Sequence, residues 1–173
     1  MKKIVLTFGL ISGVLSAALM TANMLFIDRI GFDRGLYVGY TVIVISFLFV
    51  YFGIRSYRDD VLGGRISFAQ GFQAGILITL ISCLFYVGAW LVTYSQFFPD
   101  FPAKYAAYLV EDKRASGASQ AEIESTIKQG EDMKKMLENP LINAAVTFTE
   151  PFPVGLLITL ISAAVLRTKE ADA

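Results

Sequence analysis

The chain has no histidine and a single cysteine, Cys83. The first absence removes the usual zinc ligand sets and every Ser-His or Cys-His catalytic pair, and the second rules out a disulfide within the chain. An excess of charge is missing too: 15 Lys and Arg balance 15 Asp and Glu, so nothing draws the protein to nucleic acid. No enzyme, cofactor or metal site is expected from what remains.

What is present is apolar. Hydrophobic residues make up 55% of the 173 positions and aromatic ones 13%, with a mean hydropathy of +0.57, well above a soluble domain of this size. This composition predicts an integral membrane protein whose first partner is the lipid bilayer. A bilayer core of about 30 Å needs about 20 helical residues. Four stretches satisfy this, at about 4–27, 36–53, 71–95 and 146–166. The first follows Lys2 and Lys3 as a signal peptide would, yet its uncharged run exceeds the roughly 7 to 15 residues of a signal core, so a retained span is expected. In the third, Tyr86, Trp90 and Tyr94 recur every four residues and place amphipathic rings near one interface. The start of the fourth is blurred by Glu150, Pro151 and Pro153. The fold expected is all-α, a single membrane domain of four transmembrane helices spanning residues 1–173.

A sixteen-residue segment occurs twice, eighty positions apart: Ser67 to Ser82 aligns without gaps on Thr147 to Ser162, with nine identities that include Gly75 with Gly155 and Thr79 with Thr159. Matched Phe, Gly, Thr and Ser positions in one register go beyond shared apolar composition. If consecutive spans alternate in direction, the two copies run oppositely across the bilayer, an inverted repeat on the scale of one helix.

Basic residues cluster at the N-terminus, between Arg55 and Arg65, and in the tail at Arg167 and Lys169, against Arg29 and Arg34 alone in the turn before the second span. Both termini are therefore expected in the cytoplasm. The connection over about 100–139 carries its own helical signals: Pro102 followed by Tyr105 and Tyr108, a break at Ser116-Gly117-Ala118, a capping box from Ser119 to Glu122, and Asn139-Pro140 at the end. It is expected to fold as a helical hairpin outside the membrane. A partner-binding cap and a solvated connector both fit it.

Helices in lipid associate through small residues that let backbones approach. Gly9 and Gly13 in the first span, Gly71, Gly75 and Thr79 in the third, and Gly155 and Thr159 in the fourth are the expected packing faces. Gly9 and Gly13 could also serve a homo-oligomer, though intramolecular packing suits a four-helix chain better. Glu150 is the one ionisable side chain expected inside the apolar zone, beside two prolines that remove backbone donors. Two readings stand: Glu150, Pro151 and Pro153, with Gln70 at the matching position of the repeat, form an ion or solute site, or Glu150 reaches the interface and serves the N-terminus of the last helix.

The stretches Phe52 to Asp59, Gly63 to Phe68, Ala115 to Ser119 and Glu150 to Pro153 resemble the bacterial membrane family known as domain of unknown function 4199, along nearly the whole chain. The resemblance implies a small inner-membrane protein with a soluble segment before its last span, and brings no activity or cofactor. Function is therefore expected to be structural or accessory, binding other membrane proteins or lipids; the alternative is a small transporter or channel component using Glu150 and Gln70.

Overall fold

The computed structural model describes residues 1–168, so Lys169, counted above with the basic tail, lies outside the described residues. Helix α1 (Lys2–Leu25) is one unbroken apolar run without proline. A single turn, α2 (Ile27–Ile30), ends at Gly31, whose φ of 85° is open chiefly to glycine and lets the chain reverse into α3 (Phe32–Ser56). Asp33 in the first turn of α3 favours a start at Phe32, four residues before the apolar run begins. A π-helical turn (Tyr57–Val61) and two glycines with positive φ, Gly63 and Gly64, lead into α4 (Phe68–Phe97).

Ser67 and Gln70 form a reciprocal capping box, which fixes the start of α4 at Phe68. Beyond it come α5 (Phe101–Ala115) and α6 (Gln120–Glu138), an antiparallel hairpin that turns at Gly117 and carries the expected Ser119 to Glu122 capping box. Gly130 of α6 sits against Ala106 of α5, which brings the two backbones close. The last apolar stretch is broken in two: α7 (Pro140–Phe148) and α8 (Pro151–Leu166). Asn139 both ends α6 and caps α7, its Oδ1 accepting from the amides of Leu141 and Ile142.

Four helical stretches are long and apolar enough to cross a membrane: Lys2–Leu25, Phe32–Val61, Phe68–Phe97 and Pro140–Leu166. The protein is an all-α membrane bundle. Helix α4 is its centre, packed against α1, α3 and α8, while α3 also contacts α1 and α8. The interior is closed by Phe47, Val50, Ile54 and Ile78, each fully buried. At one end, called here the terminal side, Ile66 and Thr168 clasp the start of α4 to the end of α8 through Thr168 N–H to Ile66 O (2.9 Å) and Ile66 N–H to Thr168 Oγ1 (3.0 Å).

Small side chains and hydrogen bonds carry the packing, as lipid requires. Gly9 and Gly13 are buried against Ile81 and Phe85 of α4, so this face of α1 is used within the chain. Gly71 lies against Ala163 and Ile54. The repeat meets itself reciprocally: Gly75 receives the Thr159 methyl and Gly155 receives the Thr79 methyl, with the two hydroxyls 3.0 Å apart. The copies run antiparallel, and the Thr79-Thr159 pair marks their pseudo-twofold centre. Ser12 Oγ ties α1 to α3 by donating to Ser46 O at 2.8 Å.

Candidate functional site

The break in the fourth span is set by proline chemistry. Pro151 and Pro153 have no amide hydrogen, so the carbonyls of Thr147 and Thr149 lose their ordinary helical donors. The Thr147 carbonyl accepts instead from Glu150 N–H (3.3 Å), a tightened turn that closes α7 and leaves Glu150 as the first flank of α8. At Glu150 the carboxylate folds back on α4, where Tyr86 Oη donates to Oε2 at 3.1 Å. Tyr86 itself is buried, whereas Glu150 is exposed on the side of the bundle.

Its neighbours along the helix show which side. Val146, Thr149, Pro153, Leu157, Leu160, Ile161 and Ala164 are all exposed, the outward stripe of the last span. Pro151, Gly155, Thr159 and Ala163 form the inward one. Glu150 therefore belongs to the lateral face that meets lipid, departing from the usual rule that intramembrane carboxylates point into the bundle.

Depth follows from register. Helices α3 and α8 run the same way; Phe47 packs at Gly155, and Ile54 packs at Gly71, which faces Ala163. Glu150 is thereby level with about position 42 of α3. That is eight residues, about 12 Å, from Arg34 and about 20 Å from Arg55, the charges bracketing the apolar part of α3. Glu150 is thus level with the uncharged stretch of α3, between Arg34 and Arg55.

Gln70, expected to share a site with Glu150, is at the other end of the bundle. Its Oε1 accepts Ser67 N–H at 3.0 Å, and the side chain completes the cap of α4 beside the Ile66-Thr168 clasp. Antiparallel copies separate matched positions the further these lie from the Thr79-Thr159 centre, and Gln70 and Glu150, each nine residues from it, fall on opposite sides and do not form one site. Pro151 and Pro153 contribute by shaping the break.

A second polar cluster lies just beyond, where Asn143 hydrogen-bonds between helices. Asn143 of α7 is almost wholly buried; its Oδ1 accepts from Trp90 Nε1 (2.8 Å) and Thr147 Oγ1 (3.2 Å), and its Nδ2 donates to Leu137 O (3.1 Å). This network fastens α7 and the end of α6 to α4. Its signal was the four-residue spacing of Tyr86, Trp90 and Tyr94: the first two hold the partners of Glu150 and Asn143.

The same aromatic stripe mounts the hairpin. Trp90 meets Phe101 edge-on with centroids 5.4 Å apart, Phe101 stacks on Tyr105 at 5.9 Å, and Phe32 packs against Phe101, Tyr105 and Tyr108. Tyr108 Oη donates to Asp33 at the start of α3. That bond pushes the Tyr108 hydroxyl up to about 12, because the adjacent carboxylate disfavours a second negative charge. The connector is thus fixed on the bundle by a ladder of rings. Among the described residues, no three His, Cys, Asp or Glu side chains converge in a way that could hold a metal.

No curated protein and no solved structure matches the chain. A family model described as protein of unknown function (DUF4199) matches residues 7–168, which takes in the four spans, the hairpin and the Glu150 break, and the chain accordingly belongs to that family.

Proposed function

We propose that the protein is an accessory component of the bacterial cytoplasmic membrane, a non-enzymatic scaffold that presents its helical hairpin to another membrane protein. The observation that carries this reading is the mount of the hairpin: the ring ladder from Trp90 to Tyr108, the Tyr108-Asp33 bond and the Asn143 network join α5 and α6 to the bundle. A loose connector has no need of such a mount. The packed interior supports the same reading, since Phe47, Val50, Ile54 and Ile78 fill the space a solute path would require. The excess of basic residues at the terminal side supports cytoplasmic termini and a hairpin on the opposite side.

Photo-crosslinking side chains at Ile127 and Met136, both exposed on α6, test the proposal in native membranes. A single discrete adduct from either position, competed away by an excess of the unmodified full-length protein, is the expected result. An ion or solute flux by purified protein in liposomes, abolished by Glu150→Gln, would overturn the scaffold reading in favour of transport.

A further inference from the structure

We infer that Glu150 is the anchor point for a basic side chain, Lys or Arg, carried by a transmembrane helix of another protein; this rests on the accessory reading above. An ionised carboxylate in hydrocarbon is costly unless it is paired or takes up a proton, and the protein provides Glu150 with one hydrogen bond, from Tyr86 to Oε2. Among the described residues it makes no ion pair. A cation that stabilises the ionised form would approach from outside the bundle, on the lateral stripe where Glu150 is exposed.

Depth and charge select among the occupants of that stripe. A lipid ammonium lies in the headgroup layer, near Arg34, about 12 Å along the helix from Glu150. A second copy of this chain would bring no cation to the right depth, because Lys and Arg are absent from 4–27, 35–54, 66–99 and 139–166. A basic residue on a foreign membrane helix meets both conditions, with its aliphatic stem lying along Val146 and Leu157, both exposed. Tyr86 steadies the carboxylate by holding one oxygen, leaving Oε1 for the incoming charge. The pairing is worth most in this setting, where water does not compete.

The test uses full-length protein, donor-labelled at its N-terminus, in phosphatidylcholine vesicles with acceptor-labelled Leu-Ala peptides of about 20 residues. One peptide carries Arg a third of the way from its hairpin-side end, another carries Leu there, and a third carries Arg two thirds of the way down. Energy transfer is expected to show the first peptide binding about tenfold more tightly than the others. Glu150→Gln removes that preference and Glu150→Asp, which keeps the carboxylate, retains it, so a misfolded variant is recognised by comparison. Equal binding of all three peptides, or a preference that survives Glu150→Gln, overturns the inference. So does energy transfer between copies of the protein that depends on Glu150 without any peptide preference, which would mean self-association. If the Ile127 and Met136 adducts persist while the peptides are not distinguished, the scaffold reading stands and this inference falls.

Discussion

Replacing Gly155 by alanine tests whether the two copies of the repeat are held as tightly as the geometry says. A Cβ on Gly155 would stand 2.5 Å from Thr79 Cγ2 and 2.7 Å from Phe47 Cδ1, about 1 Å inside ordinary van der Waals contact. Neither neighbour is the free end of a flexible chain: Phe47 and Thr79 are both fully buried. Relief requires α8 to move off α4, stretching the 3.0 Å Thr79-Thr159 contact as well. Overpacking of this kind costs about 1 to 3 kcal/mol. Gly88 supplies the control, since a Cβ there meets nothing within 4 Å and Gly88→Ala gains helix propensity worth up to about 1 kcal/mol. Gly71→Ala falls between, with Ala163 at 3.3 Å. Unfolding by SDS in mixed micelles, followed through the emission of Trp90, the only tryptophan, ranks the three. Gly155→Ala unfolding at the same SDS fraction as Gly88→Ala would refute the reciprocal packing of the repeat.

Thr79→Val removes the hydrogen bond to Thr159 with little change of shape, and a loss of about 0.6 to 1.7 kcal/mol is expected in the same titration, with Thr159→Val adding little on top because both act on one contact. Asn143→Leu strands Trp90 Nε1 and the Leu137 carbonyl, so a loss of about 2 to 3 kcal/mol and a shift in Trp90 emission are expected. The Glu122 carboxylate is held below the usual carboxylate range by hydrogen bonds from the Ser119 side chain and backbone. A lowered folded value stabilises the start of α6 at pH above the ordinary value near 4.3, and that contribution is lost as pH falls through the lowered one. Protection of the Ser119 and Glu122 amides against hydrogen exchange, taken relative to the intrinsic rate at each pH, should therefore fall on acidification, and Glu122→Ala should lack it at every pH.

The periodic features were legible because their causes are local. Uncharged runs of about 20 residues, a capping box at Ser119 and Glu122, and glycines at four-residue spacing each act within one or two turns, and the helices form where these signals stand. The interrupted fourth span was legible as an interruption, since proline removes a donor wherever it sits. Its consequence was less so: that α7 continues the span beyond the break depends on Asn143 meeting Trp90, residues 53 positions apart. The direction of Glu150 was likewise hidden. Its partner Tyr86 is on another helix, and only the phase of α8 around its own axis, set by Gly155 and Thr159 against Thr79, puts Glu150 on the exposed face from which its carboxylate folds back to Tyr86. Matching Gln70 with Glu150 in sequence suggested a shared site, whereas antiparallel packing brings together only the matched residues at the centre of the repeat and parts those toward its ends.

The central position of α4 also orders the assembly of the chain during synthesis. Helices α1, α3 and α4 are made first and can pack together, because their mutual contacts need nothing that follows them. Until α8 is inserted, the groove of Gly71, Gly75 and Thr79 stays open along α4, with the Thr79 hydroxyl in hydrocarbon and the Ile66 carbonyl lacking Thr168. An unfinished or wrongly inserted chain therefore displays a polar notch that the completed one hides. The last helix acts as a keystone, and its absence is written on the membrane-facing surface.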